Sequence, residues 1–152
     1  MDPEIVSSRR LDAPRAAVYA AFTDPEVLAQ WWGPQGFTNR FEVFELRPGG
    51  AWRFTMRAPD GSTHAMAKSF VEVVPRERIV LEHLEPPQHH FLMTMLFTDE
   101  AGGTRLTWRM LFEHPEEAEK VRALVLEGNE QNFDRLAGRL AEQRNGQLPP
   151  TA

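Results

Sequence analysis

Apolar side chains follow two kinds of pattern along this chain, and the switch between them sets the expected order of elements. Residues Ile5 to Leu11 are short and partly alternating, and they predict a first strand. Asp12-Ala13-Pro14 then starts a helix, with Asp12 or Ala13 at the boundary and Pro14 in the first turn. Ala16, Ala17, Val18, Tyr19, Ala20, Ala21 and Phe22 supply helix formers and packing groups. Thr23 or Asp24 caps a second short helix that has Pro25 in its first turn. Val27, Leu28, Trp31 and Trp32 give this helix an apolar face, and Gly33-Pro34 ends it.

From Phe41 onwards the period becomes two. Trp52, Phe54 and Met56 alternate with Arg53, Thr55 and Arg57, between the turns Pro48-Gly49-Gly50 and Pro59-Asp60-Gly61. His64 to Val74 forms the next strand, and Pro75-Arg76-Glu77 turns the chain. Ile79, Leu81 and His83 then share one face of a strand that Glu85-Pro86-Pro87-Gln88 breaks. Phe91, Met93, Met95 and Phe97 alternate until the turn Asp99-Glu100-Ala101-Gly102-Gly103, and Leu106, Trp108, Met110 and Phe112 form the inward face of the last strand. Pro115 opens a long helix whose early acids, Glu116, Glu117 and Glu119, suit its positive end. Its stripe of Val121, Leu124, Val125, Phe133, Leu136 and Leu140 continues to about Arg144, where Asn145-Gly146 stops it. Residues 145–152 read as a disordered tail on an ordered core of residues 5–144, and 1–152 as one domain.

This order predicts an α+β helix-grip architecture, in which a curved antiparallel sheet of about seven strands wraps a long C-terminal helix. A sheet that long must curl to bury its apolar face, and only one long helix is available to fill the concavity. Its inward row of aromatic and methionine side chains either packs solid, as interiors normally do, or leaves a pocket. The reading adopted is a pocket for a small hydrophobic molecule. Its predicted contacts are Trp32, Phe37, Trp52, Phe54, Met56, His83, Met93, Met95, Trp108, Met110 and Phe133. Trp31 and Trp32 either frame the lip of that pocket or simply pack the short helices onto the sheet.

Composition narrows the chemistry. At 41% apolar and 26% charged over 152 residues, the chain is ordinary for a globular domain. A net charge of −5 argues against nucleic acid as a partner. With no cysteine, disulfides, thiolate catalysis, zinc-thiolate sites and iron–sulfur clusters are excluded. No stretch reaches the ~20 apolar residues needed for a membrane-spanning helix. The start, Met1-Asp2-Pro3-Glu4, has no secretory character, so a cytoplasmic location is expected.

The polar candidates are few. His83, His89 and His90 lie on the arms of one predicted hairpin with Glu85 between them, and could ligate a divalent ion. Adjacent His89 and His90 should point to opposite faces, so no metal or other cofactor is assigned, and His83 is read as a polar anchor for ligand. Glu45 either faces inward as a base or orienting group, or forms a surface ion pair; Val43, Phe44 and Leu46 cannot all share one face without a bulge. Glu113 and His114 read as a solvated strand end. No nucleophile elbow, P-loop or dinucleotide-binding signature occurs.

The segment from Leu11 to Leu46, beginning L-D-A-P-R-A-A-V-Y-A-A-F-T-D-P-E-V-L-A-Q-W-W-G-P-Q-G-F, resembles the SRPBCC superfamily, and within it the bacterial branch of activator of Hsp90 ATPase homologues. R-P-G-G-A-W-R-F at Arg47 to Phe54, F-V-E-V-V-P-R-E-R-I-V at Phe70 to Val80 and G-G-T-R-L-T at Gly102 to Thr107 agree with it. The resemblance, spanning roughly Ile5 to Leu140, implies the cavity-forming fold shared with Bet-v-1-like and START proteins. Relatives often carry tryptophan after the helix glycine, where this chain has Asn129, so Asn129 is added to the predicted ligand contacts. The resemblance leaves open two alternatives to simple binding: an enzyme of cyclase or hydrolase type using His83, Glu45 and Asn129, and a stress-related chaperone partner. Homodimerisation is also open.

Overall fold

The computed structural model describes residues 1–84 and 90–146. Strand β1 (Glu4–Leu11) leads into helices α1 (Arg15–Thr23) and α2 (Pro25–Trp31). Strands β2 (Thr38–Phe44), β3 (Ala51–Arg57), β4 (Thr63–Val74), β5 (Arg78–His83), β6 (Phe91–Glu100) and β7 (Gly103–Phe112) follow, and helix α3 (Pro115–Arg144) completes the chain. The predicted tail positions 147–152 lie outside the described residues.

All seven strands form one antiparallel sheet in the order β1-β7-β6-β5-β4-β3-β2. The helix-grip expectation therefore holds in its sheet, its two short helices and its long terminal helix. Strands β2 to β7 make the expected meander, and β1 docks on β7, so the first and last strands are neighbours. Helices α1 and α2 carry the chain from one edge of the sheet to the other.

Local signals act largely as expected. Asp24 caps α2, its side chain accepting the Glu26 N–H at 3.0 Å, with Pro25 in the first turn. Pro14 differs: it is the N-cap of α1, outside the first turn, with extended ψ of 157°. Its carbonyl accepts the first helical N–H bonds from Ala17 and Val18. A bulge falls between Phe41 and Val43, earlier than Glu45. It re-aims the strand so that Phe41 and Phe44 both meet Trp52, at ring separations of 5.5 and 5.7 Å.

The core is an aromatic cluster beneath the short helices. Trp32 sits at its centre, 5.0 Å from Trp52 and 5.3 Å from Trp108, and Trp108 stands 4.7 Å from Phe133 of α3. The second half of α3 closes over this cluster with buried Asn132, Phe133, Leu136 and Leu140. Asn132 holds the end of α2, donating to the Trp31 carbonyl (2.9 Å) and accepting from the Gly33 N–H (3.1 Å). Arg135 adds bonds to the carbonyls of Gln30, Trp32, Gly33 and Pro34.

The first half of α3 behaves differently. Val121 and Val125 are only half-buried, and Leu124 is 74% exposed, so the near end of the apolar stripe is not covered. A helix of 30 residues is a rod of about 45 Å. Pinned at its far half to α2 and the aromatic cluster, it cannot also follow the curved sheet at its near half.

Candidate functional site

That divergence opens a cleft of about 360 Å³ between the first half of α3 and one end of the sheet. Met56 closes β3, His64 and Met66 begin β4, His83 closes β5, Phe91 begins β6, and Met110 and Phe112 close β7. Strand alternation turns these side chains to the inner face, and Val121, Leu124 and Val125 of α3 form the opposite wall. Apart from two imidazoles the lining is apolar. A second depression of about 370 Å³ lies on the strand faces opposite the core; Glu42, Arg53 and Thr55 make it polar.

Three of the predicted contact residues, Met56, His83 and Met110, border the cleft. Trp32, Trp52, Phe54, Met93, Met95, Trp108 and Phe133 are buried in the core, and Phe37 packs partly buried against it. Trp31 and Trp32 do not form a lip: both are buried, and the Trp31 indole N–H donates to the Ala21 carbonyl at 3.1 Å. The indole N–H groups of Trp52 and Trp108 have no acceptor among the described residues.

His83, Glu45 and Asn129 do not converge. Glu45 is at the surface before β3, accepting the Ala51 N–H at 2.9 Å and pairing with Arg47 at 3.4 Å. Asn129 donates to the Ser7 hydroxyl at 3.1 Å, so it ties α3 to β1, and it also lies 3.6 Å from the Met110 sulfur. Only His83 reaches the cleft. The histidine hairpin separates as well. His83 is inward, whereas His90 lies outside between Glu82 (3.0 Å) and Glu113 (2.8 Å). The two carboxylates raise the His90 pKa above its ordinary range, hydrogen bonding to Glu82 being the largest cause. Glu113 thus serves His90 and stands 4.0 Å from His114. His89 and Glu85 lie outside the described residues, among which no three His, Asp or Glu side chains are grouped to hold a metal.

The residue that sequence reasoning missed is Lys68. It is 5% exposed on β4, and its Nζ lies 3.1 Å from His83 Nδ1, within hydrogen-bond distance. The Nζ also stands over the rings of Trp52 (5.9 Å) and Phe91 (5.5 Å), and Phe91 stacks on the His83 ring at 4.9 Å. Burial pushes the Lys68 ammonium down to about 7. The signal was available: Met66 and Phe70 point inward, so the intervening even position must do the same.

Residues 12–141 match the family model described as Activator of Hsp90 ATPase homolog 1-like protein. No match is found among curated protein sequences. A Chromobacterium violaceum crystal structure is 28% identical, with 92% of this chain and 98% of that one covered and a TM-score of 0.77. A Rhodobacter sphaeroides crystal structure is 25% identical over 91% of this chain and 92% of that one, with a TM-score of 0.84. A solution structure from Arthrobacter aurescens reaches 0.84 at 23% identity, over 92% and 87%, and shows the shared fold.

Proposed function

The chain belongs to the Activator of Hsp90 ATPase homolog 1-like family, and on that footing we propose that it binds a small apolar molecule in the cleft beneath the first half of α3. One observation carries this reading: the sheet and the helix interlock around Trp32, Trp108 and Phe133 but part between Met110 and Val125, leaving about 360 Å³ lined almost entirely by carbon and sulfur. That volume lies in the roughly 300–1,000 Å³ range of small-molecule sites. Methionines at Met56, Met66 and Met110 add adaptable, polarizable walls. Leu124, exposed at the rim, is the kind of surface leucine that a guest would cover.

An uncharged apolar dye such as Nile red tests the proposal. The protein takes up the dye with enhanced fluorescence, and Leu124→Glu weakens uptake while leaving the unfolding midpoint nearly unchanged, because Leu124 is already exposed. No uptake by the wild type, or equal uptake by the variant, would overturn the assignment of the cleft. Native mass spectrometry separates occupancy by a small guest from coverage by a second copy of the chain.

A further inference from the structure

We infer that the guest of this cleft carries a carboxylate head, and that the Lys68–His83 pair at the cleft wall recognises it. The inference rests on the apolar-guest reading above and adds the chemistry of the head. Lysine is almost never fully buried without a counter-charge. Lys68 nevertheless has no carboxylate within ion-pair distance among the described residues, and His83 Nδ1 is its one hydrogen-bond partner there. A lysine ammonium has three N–H donors to satisfy. The rings of Trp52 and Phe91 stabilise a cation but accept no conventional hydrogen bond.

Position links this unmet charge to the cleft. His83 and Phe91, two of the three groups against Lys68, are themselves cleft-lining residues, so the Nζ lies directly behind the wall. When the Lys68 ammonium donates to His83 Nδ1, the imidazole keeps its own proton on Nε2, and the ammonium itself favours an anion. Among the described residues, the other elements around Lys68 bring no opposing charge. Strand β3 presents Trp52, Phe54 and Met56 inward, β6 presents Phe91 and Met93, and α3 presents Val121, Leu124 and Val125. The remaining titratable group at the cleft, among the described residues, is His64. Among the described residues, the inward ionisable groups of this region are amines or imidazoles, beside an apolar wall that suits an alkyl or aryl body. The depressed lysine pKa agrees with this geometry, since a seated carboxylate restores the ammonium and binding near pH 8 takes up a proton.

Competition against bound Nile red distinguishes the head from the body. Decanoate displaces the dye from the wild type at a concentration lower than decanol by on the order of tenfold, the worth of one charge-assisted hydrogen bond. Lys68→Met abolishes that preference. Calorimetry of the wild type near pH 8, in two buffers of different ionisation enthalpy, shows proton uptake with decanoate and none with decanol, a readout independent of any variant. Equal potency of decanoate and decanol on the wild type, a preference that survives in Lys68→Met, or decanoate binding without proton uptake each overturns the carboxylate assignment while the cleft stands. Failure of dye and decanol alike to bind overturns the cleft itself and this inference with it.

Discussion

Lys68 and His83 are register partners across the β4–β5 pair, and their nitrogens stand 3.1 Å apart within an otherwise apolar layer. An amine in that setting is held against its hydration preference by the strand that carries it. Met66, Lys68 and Phe70 share one face, so turning Lys68 outward with its strand would expose Met66 and Phe70 and bring Ala67 and Ser69 inward.

Lys68 makes stability depend on pH. Its folded pKa of about 7 is below the unfolded 10.5, so between these values the unfolded chain binds more protons. Stability then rises with pH across the window, by at most ~1.4 kcal/mol per unit. Tyr19, whose phenol burial pushes above 10.0, works in the opposite direction only at the alkaline end. Urea unfolding from pH 6 to 9.5 measures the rise. Lys68→Met flattens it and is more stable than wild type near pH 6; a slope retained in the variant would assign it elsewhere.

His90 has the opposite sign. Its folded pKa is raised above 6.5 by Glu82 and Glu113, so its contribution is complete below the unfolded value and fades as pH climbs through the folded one. His90→Asn removes the decline that begins just above pH 6.5, as measured by chemical denaturation in the wild type and the variant. Identical pH profiles would exclude the bridge between the β5 and β7 ends as its source.

The two asparagines of α3 differ in consequence. Asn132→Ala strands the Gly33 N–H and the Trp31 carbonyl in a buried site, and costs roughly 2–6 kcal/mol at about 1–3 per orphaned group. Asn129→Ala loses a partly buried bond to Ser7 and costs about 1 kcal/mol. Equilibrium unfolding of both variants checks the order, and a larger loss for Asn129 would contradict it.

Gly33 couples the clamp to the cleft. Its φ is +99°, and a Cβ there would stand 2.7 Å from the Met56 terminal methyl. Gly33→Ala costs on the order of 1–3 kcal/mol through backbone strain and displaces Met56, a cleft wall. Weaker dye binding together with a lowered unfolding midpoint is expected; unaltered binding would separate Met56 from the guest.

Much of the fold was legible because it follows from periodicity. The alternation of Trp52-Phe54-Met56, Phe91 to Phe97 and Leu106 to Phe112 set the strand faces, and Asp24-Pro25 and Asn145-Gly146 marked helix limits. The candidate site was less legible. Met56, His83 and Met110 were named together with Trp32, Trp52 and Phe133, since all share the inward pattern and a pattern cannot say which of them meet. Lys68 could have been found by the same parity argument that placed Met66 and Phe70, but a lysine on a strand is usually read as solvent-facing.

The sequence by itself determined which side chains turn inward, the order of the elements, and the exclusion of thiol chemistry. Tertiary structure alone decided where that interior is full and where it is open. The reason is geometric: a straight helix clamped by Asn132 and Arg135 to the end of α2 must leave a curved sheet somewhere along its length. Where it leaves depends on the placement of the clamp against the sheet, a relation between residues about a hundred positions apart that no local pattern encodes.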